Sequence, residues 1–418
     1  MAMDSGAPRE SFRLSMLLYD SRYRSLTIQI FAFFVLMFGA AWLVYNTKTN
    51  LEALGKPFGF DFLWATSGYD IAQRPIEYSS TSTHARAAVV GLLNTLILAV
   101  MACATATVLG VAAGVLRLSN NWIISKLMTI YIETFRNVPV LIWIIVVSAV
   151  MSESMPAPSA FRGDDPAASM ILFDSMAFTN RGVYVPGPLF ATDLGAMFGM
   201  SDLGTGLNWL LIIAVLAVAF VINKAMLANA TKVQNATGTR PVTWWKSLAL
   251  FLVPLIVVLV ALGFHLEYPE LRGFNFSGGI QMRNSLLAMW IGLSIYTAAF
   301  IAEIVRAGIL AISKGQTEAA FALGLQPNRT MRLVILPQAL RVIVPPLISQ
   351  FLNITKNTSL GLAVGYMDLR STLGGITINQ TGRELEGMLL MMLIYLAISL
   401  IISTVMNMYN NRVKLKER

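Results

Sequence analysis

The segment from residue 314 to residue 337 combines charged, small and turn-forming residues in a pattern suited to docking on another protein. Residues 318–323 are predicted to form a short surface helix, whose paired alanines keep one face thin enough to enter a groove. Glu318 places a carboxylate near the helix start, where the helix dipole favours negative charge. Gly324 is expected to end the helix, because glycine adopts the left-handed cap conformation without steric cost. The predicted docking residues are Glu318, Ala319, Ala320, Gly324, Leu336 and Pro337.

A second group of polar residues lies inside otherwise apolar stretches. An ionisable side chain in hydrocarbon is costly, and such side chains usually face a bundle interior or a water-filled path. We interpret Lys356 and its polar neighbours as lining a path for a solute, with hydrogen bonding between helices as the alternative. The candidate path residues are Asn353, Lys356, Asn357, Thr358, Ser359, Arg136 and Glu303.

Two acid–base pairs are spaced by about one helical turn, Glu133 with Arg136 and Glu303 with Arg306. Residues three apart on a helix are neighbours, so each pair can neutralise itself. For the first pair we weigh this structural role and a path role equally. For the second pair we favour support of the adjacent docking segment over contact with a solute.

The chain carries little material for a metal site or for nucleotide chemistry. Its one cysteine, Cys103, excludes an intramolecular disulfide and any multi-cysteine metal site, and its two histidines are His84 and His265. The phosphate-binding pattern Gly-x-x-x-x-Gly-Lys-[Ser/Thr] does not occur. We therefore expect no catalytic residues and no cofactor bound by this chain, so that any ATP and Mg²⁺ are used by a separate subunit.

The composition indicates that much of the surface faces lipid. Of the 418 residues, 56% are hydrophobic and 13% are charged, whereas soluble domains average roughly 25% charged residues. The net charge of +9 comes from basic residues spread between apolar runs, which argues against nucleic acid as a partner. We expect an all-α membrane protein, because backbone polar groups in lipid must satisfy each other within a helix.

Eight apolar runs approach the roughly 20 residues that a helix needs to cross the hydrocarbon core. We interpret the first as a retained span rather than a signal peptide, because no small-residue cleavage signal follows it. The predicted spans are Leu26–Tyr45, Val89–Leu116, Ile130–Met151, Leu207–Ile222, Ser247–Phe264, Leu286–Val305, Val342–Gly365 and Met388–Tyr409.

Lysine and arginine in the connecting segments predict the orientation, since cytoplasmic loops carry an excess of both. Eight spans place the two chain ends on one side, and both ends are basic, which predicts an N-in/C-in topology. One outer segment, 46–87, departs from this rule with four basic residues. The basic residues at the ends are Arg9, Arg13, Arg22 and Arg24, then Arg412, Lys414, Lys416 and Arg418.

These spans divide the chain into regions of unequal size. The outer insert is rich in Gly, Pro and Asp, and we expect an irregular lid there. The predicted regions are a cytoplasmic N-terminus (1–25), three spans (26–151) with an outer loop (46–87), the insert (152–206), spans four and five (207–264), core spans six to eight (284–409) with the docking loop (307–338), and a cytoplasmic tail (410–418).

The docking segment resembles the EAA loop of ABC importer permeases, in which Glu-Ala-Ala is followed after three residues by Gly and, nine residues later, by Ile-x-Leu-Pro. The six predicted docking residues match this pattern in register, and Val334 stands in the place of the isoleucine. In that family the loop forms a coupling helix that docks on the ATPase. The resemblance therefore implies an ATPase partner and a type I ABC importer permease fold with about eight transmembrane helices.

Other stretches resemble the polar amino acid (His/Glu/Gln/Arg/opine) permease family, over about half of the chain (89–151 and 278–409). The additional N-terminal span and the outer insert resemble the general L-amino acid permease subtype of Gram-negative bacteria. The stretches that carry the resemblance are Gly91–Thr95, Glu133–Pro139, Tyr296–Gly308 and Asn353–Leu360.

The resemblance implies a permease subunit of an ATP-driven importer that moves polar L-amino acids across the bacterial inner membrane. The implied partners are two copies of an ABC ATPase, a second and distinct permease subunit, and a periplasmic amino-acid-binding protein. An ion-coupled secondary transporter and a membrane scaffold are the alternatives. The first predicts central carboxylates in the spans, which we do not find, and the second leaves Lys356 and the docking segment unexplained.

Overall fold

The computed structural model of the chain describes residues 18, 20–163, 165–199 and 205–413. It divides into two units, Met1–Phe62 and Leu63–Arg418. The first unit contains one long apolar helix, α1 (Ser21–Ala53). Several of the terminal basic residues used to predict the orientation lie outside the described residues, namely Arg9, Arg13, Lys414, Lys416 and Arg418.

The second unit is a bundle of helices, most of them long and apolar. Its main helices are α2 (His84–Arg117), α3 (Trp122–Asn137), α4 (Val140–Ser154), α5 (Gly206–Thr237), α6 (Trp244–Ala261), α7 (Asn284–Leu310), α8 (Lys314–Ala322), α9 (Leu336–Asn357) and α10 (Glu384–Val413). The short helical turns are Asp61–Trp64, Pro158–Phe161, Leu194–Met197, Pro327–Thr330, Met331–Ile335, Thr358–Val364, Leu369–Ser371, Thr372–Thr377 and Ile378–Thr381.

The number of helices that can cross a membrane agrees with the predicted eight. Within the described ranges, seven helical segments are long and apolar enough, and the pair α3 and α4 adds an eighth if it crosses as one bent span. The prediction of a predominantly helical membrane protein is therefore confirmed.

The third predicted span, Ile130–Met151, is wrong as a continuous helix. Helix α3 ends at Asn137, and α4 leaves it at an angle of 107°. The break lies at Pro139, which has no N–H to donate to the preceding turn. A proline also disfavours the helical conformation of the residue before it, and Val138 is accordingly extended, with φ −109° and ψ 134°. By contrast, α9 continues through Pro345 and Pro346.

Helices α2 and α7 share the most extensive contact among the described helices. Gly110 and Gly114 of α2 lie against α7, where a Cβ at Gly110 would come within 2.6 Å of the Ile301 Cβ, and one at Gly114 within 2.6 Å of the Ala302 carbonyl oxygen. Small residues four apart let two backbones approach closely, which is how helices associate in lipid without a hydrophobic driving force. The pair α2 and α7 thus forms a close-packed centre against which α3, α4 and α9 pack.

The outer connections are more regular than the irregular lid we expected. Two of three antiparallel sheets join the insert to the segment between α6 and α7, and the third lies within that segment. Phe264, predicted to end a span, begins a strand. Gly182, with φ 137°, lies so close to Met282 that a Cβ there would come within 2.4 Å of its carbonyl oxygen. The sheets are β1 (Ala177–Thr179), β2 (Gly182–Val185) and β7 (Ile280–Arg283); β3 (Gly187–Phe190) and β4 (Phe264–Glu267); and β5 (Glu270–Arg272) and β6 (Asn275–Ser277).

Candidate functional site

The predicted docking segment folds as the short helix α8, which ends at a left-handed glycine. Gly324 has φ 74°, and its N–H donates to the Phe321 carbonyl at 2.9 Å, while the Leu325 N–H donates to the Ala320 carbonyl at 3.1 Å. These two bonds form a Schellman motif, which satisfies carbonyls that the helix end leaves free. A Cβ at Gly324 would meet no atom within 4 Å. The position therefore requires glycine for its backbone conformation and not for space.

Two large apolar side chains at the end of this segment are exposed. Leu323 is 82% exposed and Phe321 is 47% exposed, whereas Ala320 is buried against the chain. Glu318 and Ala319 lie on the exposed surface. Large apolar side chains gathered at an exposed position mark sites of interaction with another protein. The geometry thus provides an apolar contact surface with a carboxylate at its edge.

Helix α8 is connected to the spans on either side of it. The Gln338 amide of α9 donates to the Gln316 side-chain oxygen of α8 at 3.4 Å. Leu336 and Pro337 are the first residues of α9. About two turns further on, α9 packs closely on α7, because a Cβ at Gly308 would come within 2.3 Å of the Ile343 side chain. Helix α8 is thus in contact with α9, and α9 with α7.

An ion network joins three helices next to this segment. Glu303 of α7 accepts from Arg117 at the end of α2 at 2.5 Å and from Arg306 at 2.6 Å. Arg117 also pairs with Glu133 of α3 at 3.6 Å. The expected pair of Glu303 with Arg306 is therefore present, and Arg117 binds the other carboxylate oxygen of Glu303. The network ties α2, α3 and α7 together, which supports the structural interpretation of Glu303.

Arg136 does not form the ion pair with Glu133 that its spacing allows. Among the described residues Glu133 pairs with Arg117, and the Arg136 guanidinium carbon lies 5.5 Å from the centre of the Phe300 ring. A guanidinium at this distance over an aromatic face is held by cation–π attraction. Neither Arg136 nor Glu303 is brought to the cavity around Lys356, so that the predicted path residues fall into two places.

The cavity around Lys356 has a volume of about 270 Å³ and is lined by two cationic, two hydroxyl and one thioether side chain. These are Lys356, Ser359, Arg370, Met391 and Tyr395. Of the other predicted path residues, Thr358 is buried and donates to the Thr355 carbonyl at 2.8 Å. Asn353 and Asn357 do not line the cavity. The sequence thus identified two of its lining residues, Lys356 and Ser359.

A buried carboxylate lies beside this cavity, and sequence reasoning missed it. Asp368, in the connection between α9 and α10, is 0% exposed. Its Oδ1 accepts from the Ser371 N–H and hydroxyl, each at 2.9 Å, and its Oδ2 accepts from the Tyr395 hydroxyl at 3.2 Å. Burial raises the pKa of the Asp368 carboxyl, and the Ser371 hydrogen bonds oppose that shift. The carboxylate is therefore held by neutral donors rather than by a cation.

The stretch Gly91–Thr95 of α2 holds this connection in place. The Asn94 amide donates to the Met367 carbonyl at 2.9 Å, and the Tyr366 hydroxyl donates to the Asn94 carbonyl at 2.8 Å. Thr95 accepts from the Leu369 N–H at 3.1 Å. A Cβ at Gly91 would come within 2.1 Å of the Thr372 hydroxyl. This stretch therefore positions residues 366–372, which include Asp368 and Arg370, and does not itself line the cavity.

The chain is similar to permease subunits of amino acid transporters. The model of the family "Binding-protein-dependent transport system inner membrane component" matches residues 239–415. The glutamate/glutamine/aspartate/asparagine transport system permease protein BztB of Rhodobacter capsulatus is 57% identical over 426 residues, with 100% of each chain covered. The general L-amino acid transport system permease protein AapQ of Rhizobium johnstonii is 41% identical over 415 residues, covering 98% of this chain and 96% of the relative.

A shorter match shows similarity to a second type of permease subunit. The glutamate/glutamine/aspartate/asparagine transport system permease protein BztC of Rhodobacter capsulatus is 39% identical over 116 residues, which cover 28% of this chain and 25% of that protein. The same organism therefore has two permease proteins, named for one transport system, that resemble this chain over different lengths.

Proposed function

The chain belongs to the family of permease subunits of amino acid ABC transporters. We propose that it is one of the two permease subunits of an ATP-driven importer of polar L-amino acids, in the inner membrane of a Gram-negative bacterium. The observation that carries the coupling mechanism is the pair of exposed apolar side chains at the end of α8, Phe321 and Leu323, followed by the left-handed Gly324. Helix α8 contacts α9, which in turn packs on α7. An ion-coupled transporter has no use for such a surface.

The partner of this surface is an ABC ATPase, present in two copies. Phe321 and Leu323 enter an apolar groove on the ATPase, and Glu318 faces basic residues at the rim of that groove. When the two ATPases close on ATP and Mg²⁺, α8 moves with them. The Gln316–Gln338 contact and the close packing of Gly308 on Ile343 carry this movement into the spans.

The second permease subunit of the importer is a distinct, homologous protein, and a periplasmic amino-acid-binding protein delivers the substrate. Support for a distinct second permease comes from the relatives, since BztB and BztC are two proteins of one named transport system. The substrate path passes the cavity at Lys356. In an alternating-access cycle the path opens to one side of the membrane at a time. ATP shifts the equilibrium between the inward-open and the outward-open conformation only if it binds one of them more tightly than the other.

Co-purification tests the proposed coupling surface. We expect an ATPase subunit to co-purify stoichiometrically with the wild-type chain. The variant Glu318→Lys reverses the charge at the edge of the α8 surface, so we expect the ATPase to be lost from its complex. The matched control is Glu153→Lys, which makes the same charge change at the exposed outer end of α4. Full retention of the ATPase by Glu318→Lys, or equal loss in both variants, would contradict the proposal.

A further inference from the structure

Two cations share the cavity beside α9 and have no carboxylate partner in the part of the chain that the structure describes. Lys356 and Arg370 both line this cavity of about 270 Å³, and the ion pairs within 4 Å in the described ranges involve neither of them. Lys356 is exposed and Arg370 is half-buried, so a solute in the cavity can reach both charges. An anion that enters the cavity is attracted by both cations.

The nearby carboxylate does not neutralise these cations. Asp368 lies two residues before Arg370, but its oxygens accept from Ser371 and Tyr395 at 2.9–3.2 Å. The Tyr395 hydroxyl, which lines the cavity, thus donates its hydrogen bond to Asp368. The two cations keep their N–H groups available for a ligand.

The remaining lining groups suit the other end of an amino acid. The Ser359 hydroxyl donates to the Lys356 carbonyl at 2.7 Å, and Tyr395 donates to Asp368, so both hydroxyl oxygens are left as acceptors. An α-ammonium group is a donor without acceptor capacity and matches these oxygens. The cavity is slightly smaller than the roughly 300–1,000 Å³ of pockets for drug-sized ligands, so it suits a solute of amino acid size.

We propose that Lys356 and Arg370 form a carboxylate-binding subsite in the translocation pathway, and that this subsite favours amino acids with a second carboxylate over their neutral analogues. The subsite rests on the proposed function as an amino acid permease. A single cation would bind only the α-carboxylate, a group that every amino acid has, and would not discriminate between them. The second cation gives the selectivity, because it is left without a partner when the side chain is neutral.

Paired uptake measurements test the subsite. The full importer, with its ATPase, second permease and binding protein, is reconstituted into proteoliposomes, and initial rates are measured for L-glutamate and for its neutral isostere L-glutamine. The same binding protein serves every variant, so its own selectivity cancels when the glutamate-to-glutamine ratio is divided by the wild-type ratio. The variants are Lys356→Gln and Arg370→Gln, the charge-keeping Lys356→Arg and Arg370→Lys, and the exposed control Lys232→Gln.

We expect the ratio to fall about 10-fold in Lys356→Gln or Arg370→Gln, the factor that accompanies loss of one hydrogen bond to a charged group. The charge-keeping variants retain most of the ratio, and Lys232→Gln leaves it unchanged. An unchanged ratio in both neutral variants would overturn the subsite. An equal loss of glutamate and glutamine uptake would also overturn it, since that result indicates a structural role.

Two further measurements serve as controls. The first distinguishes the amino acid subsite from a lipid-binding site, and the second distinguishes an incorrect subsite from an incorrect assignment of the whole chain as an importer subunit. The assay is repeated in vesicles of phosphatidylcholine alone and of phosphatidylcholine with phosphatidylglycerol. If the neutral variants differ from wild type only when phosphatidylglycerol is present, a lipid phosphate occupies the cavity and the amino acid subsite is refuted. Stimulation of ATP hydrolysis by the loaded binding protein is measured in parallel. Its absence in the wild-type complex would refute the proposed importer itself, whereas its presence with an unchanged ratio refutes only the subsite.

Discussion

Replacing Gly324 by valine tests whether the shape of α8 couples ATP hydrolysis to transport. The residue has φ 74°, where an L-residue with a Cβ is strained by about 1–2 kcal/mol and a β-branched residue is a genuine outlier. No atom lies within 4 Å of a Cβ built there, so packing adds no cost. The strain therefore falls on the cap of α8 and leaves the bundle intact.

The magnitude follows from this strain. Because each 1.4 kcal/mol is a factor of ten in an equilibrium constant, about 1–2 kcal/mol lowers the equilibrium constant for the correctly capped form of α8 by roughly 5- to 30-fold. We expect Gly324→Val to insert into the membrane normally and to lose nearly all substrate uptake in proteoliposomes. The matched control is Gly324→Asn, which tolerates the left-handed conformation and should keep most of the uptake. Normal uptake by Gly324→Val, or equal losses in both variants, would refute the reasoning.

Two more predictions address the packing that surrounds the coupling segment. Glu303→Gln removes the charge that holds Arg117 and Arg306. It should destabilise the chain by about 1–2 kcal/mol, measured as a lower unfolding temperature in detergent, and leave the ratio of glutamate to glutamine uptake unchanged. A changed uptake ratio with unaltered stability would favour the path role of Glu303 instead. Gly110→Leu places a side chain against α7, where its Cβ would lie 2.6 Å from the Ile301 Cβ. It should reduce the yield of folded protein and lower its unfolding temperature by more than the control Gly39→Leu, whose new Cβ meets no atom within 4 Å. Equal effects of the two substitutions would contradict close packing of α2 on α7.

The helices and the docking segment were predictable because their signals are local. Apolar runs of sufficient length predict spans without knowledge of their neighbours, and the pattern from Glu318 to Pro337 predicted a short helix with a left-handed glycine at its end. Pro139 was a local signal for the break between α3 and α4, and the spacing of Gly110 and Gly114 was one for close helix packing. Both could have been used from sequence alone.

The ion network and the cavity could not be predicted, because they depend on residues far apart in the chain. Arg117 meets Glu303 across 186 positions, and no local spacing indicates that this contact adds to the pair of Glu303 with Arg306. Asp368 and Arg370 lie in a connection that reads as a loop, yet α2 holds it against the cavity through residues more than 270 positions away. Sequence reasoning found Lys356 but not the second cation beside it.

The most direct measurement of the proposed coupling is the position of α8 relative to the ATPase. A single cysteine at Ala319, in a chain whose native Cys103 is replaced by alanine, is crosslinked in membrane vesicles that contain the assembled importer. The proposal predicts a crosslink to the ATPase subunit from the cytoplasmic face, with a yield that changes when ATP is added. A crosslink to the periplasmic binding protein, or labelling of the cysteine by a membrane-impermeant thiol reagent from the outer side, would contradict it.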